Sequence, residues 1–278
     1  MTQISSDLPP PSGLDRLHEI DAETVAGFQA NGHAVVRGLA SADEIAAFRP
    51  TLETLVAHMT RRMPPMEERD TYGKAFLQAH NLWTREEAAK QFVFSARFAK
   101  AAADLMAVPG VRLYHDQALF KEPGGGHTPW HQDQTYWPLD TSDTITMWMP
   151  LVDVPADVGT MTFANGSQTH GDLGRYIIGD ESEEKFNEIV KEMGLITQTH
   201  GALKAGDATF HRGWTLHRAP PNPTPLLRSV MTIIWYADGT RVSQDVSGAR
   251  YYDHILWLAE TPPGDRAEGP LNPLLWPR

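Results

Sequence analysis

Short segments rich in β-branched and aromatic residues, separated by glycine, proline and aspartate, fill most of residues 111–236. Several short strands with such turn residues between them are typical of an antiparallel sandwich or barrel. We predict strands at residues 111–120, 144–154, 159–164, 201–204, 208–210 and 228–236. The sequence therefore predicts a β core in this part of the chain.

One stretch of the β region has a helical pattern instead. Residues 180–193 are acidic and amphipathic, and Asp180 with Glu183 predicts a capping pair at the start of a helix. Because this helix would interrupt the strands, it could be a lid over a site or a solvated surface helix.

The residues before the β region are mostly helical in pattern. Ser41 and Glu44 form a capping box, which predicts a helix that runs to about residue 59. Two further helices are predicted, one at 21–31 that Gly32 would end and one at 84–107, and a short β-branched strand is predicted at 33–39.

We find no internal repeat and no interdomain linker, so we predict a single domain over residues 1–278. Its predicted parts are a flexible arm (1–15), a mostly helical part (20–110), a jelly-roll core (111–240) and a C-terminal extension (241–278). The extension is irregular and proline-rich except for a short apolar stretch at 254–258.

Charge and cysteine content exclude several classes of function. The chain has 24 Lys and Arg residues against 35 Asp and Glu, a net charge of −11, which disfavours nucleic-acid and anionic membrane partners. It has no cysteine, which excludes disulfides, thiolate metal sites and a cysteine nucleophile. No apolar run reaches the roughly 18–20 residues that span a bilayer, and no signal peptide is recognised, so we expect a cytoplasmic protein without membrane partners.

The most informative residues for function are His131 and Asp133. On a strand, residues two apart project from the same face, so an imidazole and a carboxylate would emerge together. They would be two ligands of a two-histidine, one-carboxylate site, which binds Fe(II) and leaves coordination positions open. The alternative for this pair alone is a surface turn.

A third ligand must come from a distant strand. His217 lies 86 residues after His131 and 11 residues before Arg228, and in a jelly roll this histidine and arginine can face one cavity. A buried guanidinium needs a carboxylate partner, which a diacid co-substrate could supply. The alternative is a structural arginine paired with Asp207, and His211 is an alternative to His217 as the ligand.

At these residues the chain resembles the phytanoyl-CoA dioxygenase family of Fe(II)/2-oxoglutarate oxygenases. The resemblance covers roughly residues 20–240. It rests on FQANGHAVVRGL, HQDQTYWP, TMWMPLVDVPADVGTMTFANGSQTHG and GDATFHRGWTLHRAPPNPTPLLR. It implies a double-stranded β-helix core of the jelly-roll, cupin-like type with helices packed outside it.

The resemblance also implies roles for single residues. His131, Asp133 and His217 match the iron ligands, and Arg228 matches the residue that binds the distal carboxylate of 2-oxoglutarate. The positions of Gln132 and Trp148 match residues that line the co-substrate pocket, and that of Asn222 matches a structural loop asparagine. Many relatives carry a hydroxyl two residues after the distal histidine, where this chain has Ala219, and Thr146 is a candidate substitute.

The implied reaction uses Fe(II), 2-oxoglutarate and O2, and it oxidises a small-molecule substrate, most simply by hydroxylation, with release of succinate and CO2. Aromatic residues near the site, such as Tyr136 and Trp137, could line a substrate pocket. Trp130 is better explained by core packing. The alternative function is a cupin-type metal-dependent isomerase or hydrolase, or a metabolite-binding protein without oxygenase activity.

Overall fold

A computed structural model describes residues 13–277, except positions 157 and 159. Within that range the helices are α1 (Ala22–Asn31), α2 (Ala42–Thr60), α3 (Glu87–Val93), α4 (Ala96–Met106), α5 (Asp180–Glu192) and α6 (Ala249–Leu256). Both predicted reasons for the first two helices are present. Helix α1 ends at Gly32, whose φ of 80° suits glycine, and α2 begins with the reciprocal capping box of Ser41 and Glu44.

The strands form two antiparallel sheets. In chain order they are β1 (His33–Val36), β2 (Leu77–His80), β3 (Val111–Phe120), β4 (Thr128–His131), β5 (Thr144–Pro150), β6 (Thr162–Ala164), β7 (Thr197–Thr199), β8 (Ala208–Arg212), β9 (His217–Ala219), β10 (Val230–Ala237) and β11 (Leu274–Trp276). The major sheet has the order β1-β8-β5-β10-β3-β11, with β2 also paired to β3, and the minor sheet has the order β4-β9-β6-β7. The predicted double-stranded β-helix is confirmed.

The register of the major sheet aligns one row of inward side chains. His211 pairs with Thr146, Thr146 pairs with Ile234, and Ile234 pairs with His115, so these four residues cross strands β8, β5, β10 and β3 in sequence. Because successive residues of a strand face opposite sides of the sheet, the residues before and after each of these four point to the other face. This row lines the space between the two sheets.

The other face of the major sheet is covered by the N-terminal helices. Met147, Phe210 and Ile233 from the sheet pack in one buried cluster with Phe92 of α3 and Phe98 of α4. Burial of each of these large apolar side chains stabilises the fold by about 1.5–3 kcal/mol relative to its exposure to water. The inner face is thereby left to polar and aromatic side chains that can serve a site.

Several local predictions need correction. The helix predicted over 84–107 is interrupted at 94–95, and Ser95 caps the second part by accepting a hydrogen bond from the Phe98 amide. The strand predicted at 201–204 is only an isolated bridge between Leu203 and Val154. For residues 84–107, the hydrophobic pattern of the sequence could not distinguish one long helix from two short helices that share a buried face.

The acidic helix forms, but its predicted capping pair is wrong. Ser182 accepts a hydrogen bond from the Gly179 amide, while Glu183 accepts from the Trp130 amide and pairs with Arg218. Its buried Phe186 packs in a cluster with Trp130. Helix α5 is therefore docked on the minor sheet by one face, while its other face, with the exposed Glu181, Glu184 and Glu188, is solvated.

Both ends of the described chain contact the β core. Strands β1 and β11 pair with the major sheet, and Leu14 is buried in the main apolar cluster. The predicted flexible arm over 1–15 lies mostly outside the described residues, which begin at Gly13. The sequence did not predict α6 beyond an apolar stretch at 254–258.

Candidate metal centre

The minor sheet brings two histidines opposite each other. His131 ends β4 and pairs with His217, the first residue of β9. Asp133 follows in a short turn, and its Oδ1 lies 3.4 Å from His131 Nε2 and 3.8 Å from His217 Nε2. One ligand atom from each residue lies within 4.8 Å of the others, a spacing that suits a single metal ion.

The orientation of both imidazoles is set by the backbone. His131 Nδ1 lies 2.8 Å from the Pro129 carbonyl oxygen, and His217 Nδ1 lies 3.0 Å from that of Thr215. Each Nδ1–H therefore donates to a carbonyl, which leaves the Nε2 lone pair directed at the carboxylate side. This arrangement fits the neutral imidazole ligands that Fe(II) needs.

The protonation states of these groups also suit a metal. Burial lowers the pKa of His217 well below its usual range, and His131 and His211 lower it further. Burial opposes the ionisation of Asp133, but the surrounding imidazoles of His217, His131 and His211 hold its pKa well below its usual range. A neutral imidazole and an ionised carboxylate at neutral pH are the forms that bind a metal.

The second oxygen of Asp133 is held by the major sheet. Thr146 Oγ1 donates to Asp133 Oδ2 over 3.0 Å, and His211 Nε2 lies 3.1 Å from the same oxygen. His211 thus contacts Oδ2, which we call the outer oxygen of the Asp133 carboxylate. His217 instead faces Oδ1, the inner oxygen. This geometry distinguishes the roles of His211 and His217, which the sequence left as alternatives for the third metal ligand. Of the two, only His217 belongs to the cluster of three possible ligands.

Arg228 lies just before β10, and its backbone pairs with Lys121. The side chain is only 2% exposed, and its guanidinium lies 5.2 Å from the Trp148 ring and 5.6 Å from the Phe76 ring. The alternative partner Asp207 instead pairs with Arg37 at 2.9 Å. The structure therefore does not pair Arg228 with Asp207, which was the alternative to a role in binding the co-substrate.

Two buried basic side chains, Arg228 and Lys121, lie at this end of the site. Burial lowers the pKa of Arg228 to about 9, and burial together with Arg228 lowers the pKa of Lys121 to about 6. Lys121 Nζ also donates a hydrogen bond to the Gly126 carbonyl. Arg228 accordingly carries the positive charge that faces the cavity at neutral pH.

The remaining predicted site residues divide into two groups. Trp148, Thr146 and Ala219 line the cavity, although the Thr146 hydroxyl is already bound to Asp133. Gln132 does not line it, because its amide donates to the Gly171 and Trp214 carbonyls and accepts from the Leu173 amide. Gln132 therefore holds loops together, and its amide is directed at these loops rather than into the cavity.

Asn222 has the predicted structural role. Its amide nitrogen donates to the carbonyls of Lys121, Glu122 and Leu226, and its oxygen accepts from the Thr224 amide. These bonds close the loop that precedes Arg228. Trp130 is likewise a packing residue, buried with Phe186 and outside the cavity.

A cavity of about 500 Å³ extends from these residues between the two sheets. It is lined by the candidate ligands and Arg228, by the predicted pocket residues Tyr136 and Trp137, and by side chains that sequence reasoning missed. Among the missed residues are His80, Asp253, Leu256 and Trp257. The only signal for the last three was the apolar stretch near residue 254, which carries no functional pattern.

A double-stranded β-helix with two histidines and an aspartate directed into its interior defines the class of cupin-like metal-dependent oxygenases. The family model for phytanoyl-CoA dioxygenase (PhyH) matches residues 28–230. The chain belongs to this family, and it is an Fe(II)- and 2-oxoglutarate-dependent dioxygenase that uses O2. Family membership thus supports the dioxygenase prediction over the cupin-type isomerase, hydrolase or binding protein.

Similar proteins span most of the chain. Phytanoyl-CoA dioxygenase 1 of Oryza sativa subsp. japonica is 23% identical over 259 residues, which cover 81% of this chain and 90% of the relative. The non-heme alpha-ketoglutarate-dependent carbocyclase SnoK from nogalamycin biosynthesis has a TM-score of 0.73 at 23% identity, covering 95% of this chain and 98% of its own. The epimerase SnoN from the same biosynthesis has a TM-score of 0.71 at 24% identity, covering 91% and 97%. These structures share the fold.

Proposed function

We propose that His131, Asp133 and His217 bind the Fe(II) of this dioxygenase and that Arg228 binds its 2-oxoglutarate. The observation that carries the proposal is the cluster of three ligand atoms within 4.8 Å, with both imidazoles oriented by carbonyls, in a cavity that Arg228 also lines. Bound Fe(II) supplies O2 activation coupled to the oxidation of 2-oxoglutarate to succinate and CO2.

The side chains of the protein provide binding and orientation. The buried guanidinium of Arg228 binds the distal carboxylate of 2-oxoglutarate, because an ion pair is strong in a site from which water is excluded. The guanidinium carbon of Arg228 lies over the Trp148 ring, 5.2 Å from the ring centroid. Ala219 has no hydroxyl and the Thr146 hydroxyl is bound to Asp133, so neither side chain donates a hydrogen bond to this carboxylate.

The proposed reaction is hydroxylation of a small-molecule metabolite. Hydroxylation of a C–H bond is the outcome that needs no further catalytic group from the protein. The names of the carbocyclase and the epimerase describe other outcomes on the same fold. Hydroxylation therefore depends on how the cavity holds its substrate beside the metal.

We further propose that residues 1–278 act as one catalytic domain in the cytoplasm. Pairing of β1 and β11 with the major sheet supports one domain. No helix among the described residues is long and apolar enough to cross a membrane.

The test is anaerobic. Fe(II) and then 2-oxoglutarate are added to metal-free protein, and the visible charge-transfer band of the chelate is recorded for the wild type, Arg228→Ala and Arg228→Lys. We expect the band in the wild type, a much higher 2-oxoglutarate concentration for half-saturation in Arg228→Ala, and partial recovery in Arg228→Lys. Arg241→Ala, a change outside the cavity lining, is the control. Iron binding without any band in the wild type would overturn the proposal.

A further inference from the structure

The cavity continues from the metal centre into a chamber with ring-bearing walls. We define this aromatic chamber by His80, His115, Tyr136, Trp137 and Trp257, all of which line the cavity. His115 lies in the same cross-strand row as Thr146, which contacts Asp133, so the chamber begins beside the proposed metal ligand.

Trp257 is the central ring of this chamber. It follows the last residue of α6, and its ring stacks on His80 at 5.2 Å with an interplanar angle of 29°. It is tilted against His115 at 4.9 Å. Flat rings grouped in this way offer a surface on which another ring can stack.

Helix α6 is fixed to the major sheet, which fixes Trp257. Tyr114 on β3 donates its hydroxyl to the Asp253 carboxylate over 2.9 Å, and the Trp257 side chain also bonds to this carboxylate. Burial raises the pKa of Asp253 to about 7, so the carboxyl is partly protonated at neutral pH. The chamber is therefore preformed before any ligand arrives.

The chamber offers hydrogen bonds but no cation. Burial lowers the pKa of His80 to about 4 and that of His115 to about 3, so both imidazoles are neutral near pH 7. The cationic side chains among the described residues that line the cavity are Arg218 and Arg228. Arg218 is paired with Glu183 at 3.0 Å, and Arg228 is assigned above to 2-oxoglutarate.

Exposed apolar side chains contribute to the mouth of the cavity. Ile177 and Leu256 line it and are nevertheless 56% and 52% exposed, and the neighbouring Tyr252 on α6 is 67% exposed. Exposed apolar side chains that border a pocket are typical of a site for an apolar ligand. A polyanionic group such as the phosphates of coenzyme A would meet the exposed carboxylate of Asp70, and the one part-exposed cation that lines the cavity among the described residues, Arg218, is already paired with Glu183.

We propose that the aromatic chamber binds the primary substrate and that this substrate is an uncharged, planar ring compound bearing hydroxyl or carbonyl groups. Its ring stacks on Trp257, its polar groups bond to the imidazoles of His80 and His115, and its far end extends past Ile177 and Leu256. The inference rests on the proposed function, since it needs the metal centre at the inner end of the chamber.

The test measures binding without turnover. The intrinsic emission of 2-naphthol, a neutral bicyclic probe, is titrated with metal-free full-length protein. We expect saturable binding, at least tenfold weaker binding by Trp257→Ala, and a loss of less than threefold for Trp257→Phe, which keeps a ring. Trp214→Ala, a tryptophan outside the cavity lining, should bind like the wild type. Circular dichroism verifies folding, and Trp257→Leu replaces the alanine variant if that variant does not fold.

A second titration separates the substrate classes. Palmitoyl-CoA is added to the complex of wild-type protein with 2-naphthol, and we expect little displacement at equal concentrations. Tighter binding of palmitoyl-CoA, or equal 2-naphthol binding by the wild type and Trp257→Ala, would overturn the proposal. Absence of the charge-transfer band in the wild type would instead overturn the metal and co-substrate assignment, so the two failures are distinguishable.

Discussion

Removal of the hydrogen bonds to the outer oxygen of Asp133 should weaken metal binding without abolishing it. His211→Phe and Thr146→Val are the two substitutions, since each keeps the approximate size of the side chain and deletes one bond, of 3.1 Å and 3.0 Å respectively. Both side chains are buried, so water cannot easily replace the lost group.

The expected magnitude follows from the charge on Asp133. A hydrogen bond to a charged group contributes about 1.5–3 kcal/mol, and loss of a partner that orients a metal ligand lowers affinity about 10–100-fold. We expect a loss in this range for each variant. Because the two donors share one acceptor, the double variant should depart from additivity.

The assay is an anaerobic titration with Mn(II), with free metal followed by electron paramagnetic resonance. Thr209→Val is the matched control, because Thr209 lies on the same face of β8 as His211 and its buried hydroxyl has no hydrogen-bond partner among the described residues. A change of less than about threefold in both single variants would refute the orienting role, because loss of an orienting partner should weaken binding by about tenfold or more. A loss as complete as that of His217→Ala would mean that His211 is itself a metal ligand.

Three other results are expected. Asp133→Ala should abolish Mn(II) binding and succinate release, as measured by the same titration and by product analysis, and full activity would contradict the ligand assignment. Arg228→Ala should weaken 2-oxoglutarate binding to the Mn(II) protein by about 100-fold in calorimetry, as expected for a lost charged pair, while Mn(II) affinity stays within about threefold. Because burial raises the pKa of Asp253 to about 7 from about 3.9 when unfolded, its contribution to stability is full below about pH 4 and is lost as pH rises to about 7. Asp253→Asn should therefore reduce the fall in unfolding free energy between about pH 5 and pH 7 in denaturant titrations, and an unchanged slope would contradict this.

Most of the metal centre could be predicted from the sequence because its chemistry uses few residue types. An imidazole and a carboxylate two residues apart, followed by a distant histidine and arginine, already describe the pattern of His131, Asp133, His217 and Arg228. The structure brings the first three together and directs Arg228 into the same cavity. The capping box at the start of α2, which begins with Ser41, was also predicted from the sequence.

Other features depend on contacts between distant parts of the chain. Gln132 lies between two candidate ligands, yet its side chain is turned away by three backbone bonds to loops 39 to 82 residues later. His211 reaches the outer oxygen of Asp133 only because β8 and β5 pair in the observed register.

The aromatic chamber is the clearest product of tertiary structure. His80, His115 and Trp257 come from β2, β3 and the end of α6, and no spacing in the sequence relates them. By itself the sequence determined the class of chemistry, because ligand types and turn residues are local properties. Only the folded chain decided which side chains share the cavity, because strand register and the docking of α6 through Asp253 and Tyr114 are set by long-range pairing and burial.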